Sequence, residues 1–308
     1  MKIALLGCTG QIGRSLVRRL AAKHDLLLYA RRTDWMRDWL MNRALEARVL
    51  DISAFPVGEF ELIINAIGDG APGRIKAAGT GILETTEYFD RICLDYLDRN
   101  PNCAYVFLST GRVYGDDYER AQRPDPHPLE LARFTDAQFY PLAKRKAELR
   151  HRDLTRKHIA DIRIFGYLSD EINLHDDFLV SQILRTIIDD DVFVTTPSDF
   201  VRDYIGPDDL IELIARLLEA GVPNNEYDIC SAGPTTKFEM LETLAKNFGL
   251  RYTIDGTPVP TTRRDTISLQ TAARRIGHIP SRASLENVLS TADAIRRRPA
   301  RPDRRRAL

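Results

Sequence analysis

Apolar residues recur along the first half of the chain in two alternating rhythms. Short apolar runs at Ile3 to Leu6, Leu26 to Ala30, Val49-Leu50, Leu62 to Ala66 and Tyr105 to Leu108 have the length and content of strands buried on both faces. Between them, Ile12, Leu16, Val17 and Leu20 fall at helical spacing, and Trp35, Met36, Trp39 and Leu40 share one face of a second helix. Ile82 to Leu97 and Leu142 to Leu154 read as two further helices, followed by a sixth strand from Ile159 to Phe165. Apolar strands alternating with helices predict a doubly wound α/β fold, a parallel sheet covered on both faces. The second half is less regular, with helices expected over Phe178 to Ile188, Asp208 to Leu218 and Phe238 to Phe248, and strands over Val192 to Val194 and Tyr227 to Cys230. No internal repeat and no Gly/Ser linker interrupts it, so a smaller C-terminal lobe should pack directly on the first.

Composition narrows the class. The chain has 308 residues, 44% hydrophobic and 29% charged, enough for a large α/β domain with an added lobe. No apolar run reaches the length of a membrane span, and Met1 to Gly10 reads as a strand entering a glycine loop rather than a signal peptide. A cytoplasmic protein with no membrane partner is expected. Cys8, Cys93, Cys103 and Cys230 form no CxxC pair, and the six histidines have no HExxH-like spacing, so no metal is expected. The net charge is zero, but Ile295 to Leu308 carry seven arginines against one aspartate, which leaves the body net acidic. That argues against a nucleic-acid-binding surface. Residues 296–308 read as a basic, disordered, solvated tail.

The first chemical motif is Gly7-Cys8-Thr9-Gly10-Gln11-Ile12-Gly13, set where strand one becomes helix one. Such a junction aims backbone N–H groups and the positive helix end at a pyrophosphate, and its glycines allow the close approach; a plain tight turn is the alternative. With the strand–helix alternation, it makes the expected fold of Rossmann type. An acidic residue at the end of strand two would bind the ribose 2′-hydroxyl of NAD. Tyr29-Ala30-Arg31-Arg32 stands there instead, and two guanidiniums suit a 2′-phosphate. NADP(H) is therefore favoured, with NAD possible; surface arginines without a ligand are the alternative. Cys8 reads as a small filler of the loop.

The second motif is Tyr140-Pro141-Leu142-Ala143-Lys144. On a helix, positions i and i+4 share a face, so the ammonium can sit near the phenol, favour the phenolate and make Tyr140 a proton donor or acceptor at a carbonyl or alcohol carbon. Upstream, Ser109-Thr110-Gly111-Arg112-Val113-Tyr114-Gly115 begins at the carboxyl end of strand five, where open α/β sheets bind ligands.

Together these residues resemble the extended short-chain dehydrogenases/reductases of the nucleotide-sugar epimerase/dehydratase type, over nearly the whole chain. The likeness implies cofactor contacts from Gly7, Thr9, Gly10, Gln11, Ile12 and Gly13, from Asp51 and Ile52 at the adenine, and from Ala66, Ile67 and Gly68 after strand four, to which the end of strand two adds Arg31 and Arg32. It implies catalysis by Thr110, Tyr140 and Lys144, with Lys144 also holding the nicotinamide ribose. Arg163-Ile164-Phe165 matches the strand after the Tyr-Lys helix, and Tyr227 to Gly233 a later strand and glycine turn. Phe200 to Ile205 and Asp209 resemble an element whose arginine, here Arg202, reaches a substrate diphosphate; an ion pair with Asp199 or Asp203 is the alternative. Substrate contacts are expected at Thr110, Gly111, Arg112 and Arg202.

Departures from the family pattern narrow the reaction. Its dehydratases carry Asp-Glu after the catalytic Thr, where this chain has Gly111-Arg112, so dehydration is not expected. The double epimerase-reductases use a Cys and a His; no Cys stands directly after Thr110, and neither His127 nor His175 is placed as a partner. What remains is NADPH-dependent reduction of a nucleotide-linked 4-keto sugar, or epimerisation through a transient ketone with retained NAD. A non-catalytic cofactor sensor is the reading from outside enzymology, and it needs none of Thr110, Tyr140 and Lys144. The implied organisation is a cofactor domain of 1–165 plus 204–230, a substrate lobe of 166–203 plus 231–295, and a homodimer through the helices near Ile82 to Leu97 and Phe139 to Leu154.

Overall fold

In the structure, a computed structural model that describes residues 1–68, 70–115, 118–124, 126–135, 138–155, 157–257 and 266–298, the apolar runs become strands and the periodic segments helices. In chain order the elements are β1 (Lys2–Leu6), α1 (Gln11–Leu20), β2 (Asp25–Ala30), α2 (Thr33–Met41), β3 (Arg48–Asp51), β4 (Leu62–Asn65), α3 (Pro72–Ala78), α4 (Gly81–Arg99), β5 (Ala104–Thr110), α5 (Phe139–Arg152) and β6 (Ile159–Ile164). Then follow α6 (Leu179–Ile188), β7 (Val192–Thr195), β8 (Val201–Arg202), α7 (Pro207–Glu219), β9 (Asn225–Ile229), β10 (Thr235–Thr236), α8 (Lys237–Phe248), β11 (Arg251–Ile254), α9 (Thr271–Arg275) and α10 (Ser284–Arg296). Seven strands form one parallel sheet in the order β3-β2-β1-β4-β5-β6-β9, the expected doubly wound arrangement.

Because strand side chains alternate, each strand feeds two cores. Leu5, Leu28, Ile64, Val106 and Ile162 pack under the face covered by α1, α2 and α7. Leu6, Leu27, Ile63, Tyr105, Phe107 and Ile159 pack under α4 and α5. A third cluster, with Leu168, Ile183, Phe193, Met240, Leu244, Val288 and Ile295, joins α6, β7, α8 and α10. The ladders β8–β10 and β7–β11 stand outside the main sheet, whereas α9 lies on β9 and contributes Ala273 to the first core. No described helix is long and apolar enough to cross a membrane.

Several details depart from expectation. Trp35 is 37% exposed, while Met36, Trp39 and Leu40 are buried, so Trp35 falls just off the packed face of α2. Helix α5 begins at Phe139, and both its Tyr and its Lys lie within it. The elements α3, β8, β10, β11 and α9 are too short to display a period. Helix α10 does show one, at Leu285, Val288, Leu289, Ala292 and Ile295, and it carries order into the expected basic tail. Arg296 is its last residue and lies against Phe248, and Arg297 pairs with Asp293 at 2.8 Å. Residues 299–308 of that tail lie outside the described residues.

One charged cluster ties α4, α5 and β6 together. The His151 ring is fully buried, with Nε2 2.7 Å from Asp90 Oδ1 and Nδ1 2.6 Å from Asp161 Oδ1. Arg150 donates to the outer oxygen of Asp90 at 2.9 Å and Arg152 to that of Asp161 at 2.6 Å. Burial alone would push the imidazole down, but the charge and hydrogen bond of Asp161, and then those of Asp90, carry it up to about 9. Its folded value thus lies above the ordinary 6.5, so its stabilisation is complete below pH 6.5 and lost as the pH rises through 9. The unfolding free energy, measured by urea titration, should fall by on the order of 2–3 kcal/mol more between pH 6 and pH 9.5 in the native protein than in His151→Gln.

Candidate active site

The strand ends β1, β4 and β5 and the helix α5 converge on one place. Gly7 leaves β1 at φ +77°, and a Cβ there would meet the Ala66 carbonyl carbon and oxygen at 2.6 Å. The loops after β1 and β4 are therefore in backbone contact, possible only for glycine. Gly13, inside α1, packs as closely on the loop before it: a Cβ would lie 2.3 Å from the Gly7 oxygen. The first turn of α1 has neither a side-chain cap nor an acidic residue, so the N–H groups of Gln11, Ile12 and Gly13 are donors without a helical acceptor. This cradle fits the pyrophosphate of a dinucleotide. Thr9 is held from behind, its carbonyl accepting from Arg14 at 2.5 Å while Arg14 pairs with Glu171 at 2.8 Å. The Cys8 thiol is buried and burial pushes it up to about 12, which suits a filler.

Arg31 and Arg32 follow β2, both exposed, and Arg32 lies 5.1 Å over the Trp35 ring. The first carboxylate after β2 is Asp34, paired with Arg37 at 2.7 Å. Asp51 ends β3 beside Ala30, and its carboxylate accepts from Ser53 N and Oγ at 2.9 and 2.6 Å, opening the short turn that holds Ile52.

Lys144 is buried, and its ammonium donates to the Ile67 carbonyl at 2.9 Å. The Phe107 ring lies 4.2 Å from it and the Tyr140 ring 6.0 Å. Burial pushes the ammonium down to about 8, against the opposing pull of Asp90, Asp161 and Glu148. A Cβ on Gly68 would sit 3.2 Å from Lys144 Nζ and 3.4 Å from Tyr140 Cε2, so the loop after β4 lies directly on the Tyr-Lys pair. On the other side, Gly70 faces both the Tyr140 hydroxyl and Phe178, and Arg74 ties α3 to Asp176. Thr110 ends β5, buried, its Oγ accepting from Arg112 N at 3.3 Å. Gly111 is pinned under Phe165, whose ring a Cβ would meet at 2.7 Å, while Arg112 is exposed. Arg202 sits apart from the main sheet in β8, 4.0 Å over Phe200 and donating to the Val201 carbonyl. Asp203 turns inward to Ser231 N at 2.7 Å, and Asp199 accepts from Phe200 N at 2.9 Å.

Beneath Thr110 runs a buried network whose pairing no motif marks. Glu148 accepts from Ser109 Oγ at 2.7 Å and from Arg163 at 2.9 and 2.7 Å. Tyr114 accepts from Arg163 at 2.9 Å and donates to Asp228 at 2.8 Å, and Ser268 donates to Asp228 at 2.6 Å. Burial would push Glu148 up, but the Arg163 charge holds it below the carboxylate range; Asp228, buried with less compensation, is pushed up. Ser109 and Tyr114 lie in the motif after β5, and Arg163 and Asp228 in segments that resemble the family, but nothing local pairs them, since partners as far apart as Tyr114 and Asp228 share no spacing.

Residues 3–230 match the model of the NAD dependent epimerase/dehydratase family. No curated protein sequence matches the chain significantly. Among solved structures, UDP-glucose 4-epimerase of the hyperthermophilic eubacterium Thermotoga maritima, with UDP-glucose, superposes with a TM-score of 0.76 at 17% identity, over 96% of this chain and 99% of that one. UDP-N-acetylglucosamine 4-epimerase of Methanobrevibacter ruminantium M1, with UDP-N-acetylmuramic acid, gives 0.78 at 13% identity over 95% and 97%. RMD from Pseudomonas aeruginosa, complexed with NADPH, gives 0.73 at 16% identity over 96% and 97%. At these identities the likeness is one of fold.

The cradle can be tested at Gly13. Gly13→Ala should lower the unfolding free energy by about 2 kcal/mol and weaken dinucleotide binding at least roughly tenfold, read by urea titration and calorimetry, because the added methyl must displace backbone.

Proposed function

Because the chain belongs to the NAD-dependent epimerase/dehydratase family, it is an enzyme working with a nicotinamide cofactor, and we propose that it is an NADPH-dependent reductase of a nucleotide-linked 4-keto sugar. The observation that carries this reading is the Arg31-Arg32 pair at the end of β2, with Arg32 over Trp35 and the nearest following carboxylate already paired. Guanidiniums there suit a ribose 2′-phosphate, whereas NAD would call for an acid. The glycine loop, Asp51-Ile52 and Ala66 to Gly68 would hold the rest of the dinucleotide. Residues 1–165 with 204–230 would form the cofactor domain. The lobe of 166–203 with 231–295 would take the substrate, with Arg202 on its diphosphate and Arg112 near the sugar.

When bound, the nicotinamide supplies a hydride to the carbonyl carbon. Tyr140 gives its hydroxyl proton to the carbonyl oxygen as the alcohol forms, and is reprotonated from solvent. Lys144 presents a positive charge beneath the phenol and favours the phenolate that this transfer leaves. Thr110, with one lone pair committed to Arg112 N, would donate to the same oxygen and orient it. Dehydration would require carboxylates after Thr110, and the Phe165 ring leaves no room for one at Gly111.

The second reading is epimerisation, with the hydride returned to the same sugar; the UDP-sugar 4-epimerases among the structural neighbours favour it. Cofactor released on denaturation separates the two, tightly held NAD pointing to the epimerase and an empty site that accepts NADPH to the reductase. A homodimer through α4 and α5 fits either reading.

Tyr140→Phe should lower turnover by roughly 10²- to 10⁴-fold with NADPH binding retained, and full activity in that variant would refute the scheme. Arg31→Ala with Arg32→Ala should weaken NADPH binding by roughly tenfold or more and leave NADH binding within about twofold, read by calorimetry. A thermal-shift panel of UDP, GDP, CDP and dTDP with NADPH present would identify the nucleotide by the one that stabilises.

A further inference from the structure

Helix α5 carries Lys144 and His151 seven residues apart, two turns along one face. Behind Lys144 a line of hydrogen bonds runs through the Ile67 backbone, half-buried at Ile67 and fully buried beyond it. The Ile67 carbonyl accepts from Lys144 Nζ at 2.9 Å, and Ile67 N donates to Asn65 Oδ1 at 3.0 Å. Asn65 Nδ2 donates to the Tyr105 hydroxyl at 3.0 Å, which donates to Asp90 Oδ1 at 3.0 Å, the oxygen that also faces His151 Nε2. Asn65, Tyr105, Asp90, His151 and Asp161 are all 1% exposed or less.

A second route is shorter. The Phe107 ring stands between the two cations, with Lys144 Nζ 4.2 Å from its centroid and the His151 ring centroid 5.3 Å away at 85°. Both nitrogens of His151 face carboxylate oxygens, which only accept when ionised, so both must donate and the ring is an imidazolium. The charges around it are Asp90 from α4, Asp161 from β6, and Arg150 and Arg152 from α5, with Glu226 of β9 beyond Arg152 and the Cys93 thiol of α4 beside Tyr105. Lys144 feels Asp90, Asp161 and Glu148, and has Tyr140 one turn before it on α5.

We propose that His151 is a positioning residue for Lys144: clamped between Asp90 and Asp161, it fixes the Tyr105–Asn65–Ile67 chain on which the ammonium rests, and it balances the two carboxylates behind Phe107. The inference rests on Lys144 being the lysine of the proton-transfer pair, but it concerns the resting protein, without cofactor or substrate. The two routes have opposite signs. Removing the imidazolium leaves more negative charge near Lys144 and raises its protonation midpoint. Removing the Tyr105 hydroxyl changes no charge, frees Asn65 and the Ile67 carbonyl to shift, and lowers it.

The test is a carbon-13 NMR titration of the lysine Cε signals in the full-length protein. Eight lysines are present, and the Lys144 signal is assigned by its loss in Lys144→Arg. Tyr105→Phe, which cuts the chain and keeps the charge, should move the midpoint down by about half a pH unit, and adding His151→Asn in that background, where only the charge is left to lose, should move it up again by about one unit. Cooperative thermal unfolding checks each variant's fold, and if the variant with His151→Asn does not fold, His151→Gln in the same Tyr105→Phe background replaces it. A native midpoint in Tyr105→Phe, or no rise when the His151 substitution is added to it, overturns the proposal. No turnover is needed, so failure here is distinguishable from failure of the proposed reaction, which Tyr140→Phe tests.

Discussion

The arrangement of this protein turns on how α5 meets the sheet. Its inner face is built less from large apolar side chains than from Lys144, Glu148 and His151, all buried, with Ala143 and Ala147 small enough for close approach. Removing ions from water costs several kcal/mol each unless every one finds a partner of suitable geometry. Each does: Lys144 on the Ile67 carbonyl, Glu148 on Arg163 and Ser109, His151 between Asp90 and Asp161. A one-residue shift of the helix would break all three sets, so these pairs set its register, and its register positions Tyr140.

The same three contacts tie the helix to different parts of the fold. Lys144 reaches the loop after β4, which in turn lies against Gly7 of the glycine loop. Glu148 reaches β6 through Arg163, and thence Tyr114 and Asp228 on β9. His151 reaches α4 and β6. The proposed catalytic pair and the proposed dinucleotide cradle are therefore joined through direct contacts rather than being neighbours on separate loops. That is the preorganisation expected where proton transfer must be held in fixed geometry.

Much of this was legible along the chain. Short apolar runs and helical spacing foretold the main strands and helices because both faces of a parallel sheet must be dry. The glycine loop, the arginine pair after β2 and the Tyr-Lys pair are local patterns, each defined within a few residues by backbone sterics or helical pitch. Short ladders such as β8–β10 carry no such period. Trp35 lay at the right spacing yet faces outward, where it meets Arg32, since spacing alone cannot say where a packed face ends.

The layered fold and the types of group offered to a cofactor follow from the order of residues along the chain, because hydrophobic periodicity and glycine sterics act between near neighbours. Which charges are buried together depends on how distant elements pack. Asp90, His151 and Asp161 come from three elements, and Ser109, Glu148, Arg163 and Asp228 from four; nothing in their spacing announces the meeting. Their partnership is set by the crossing of α5 over β5 and β6, and their cost of burial makes that crossing specific.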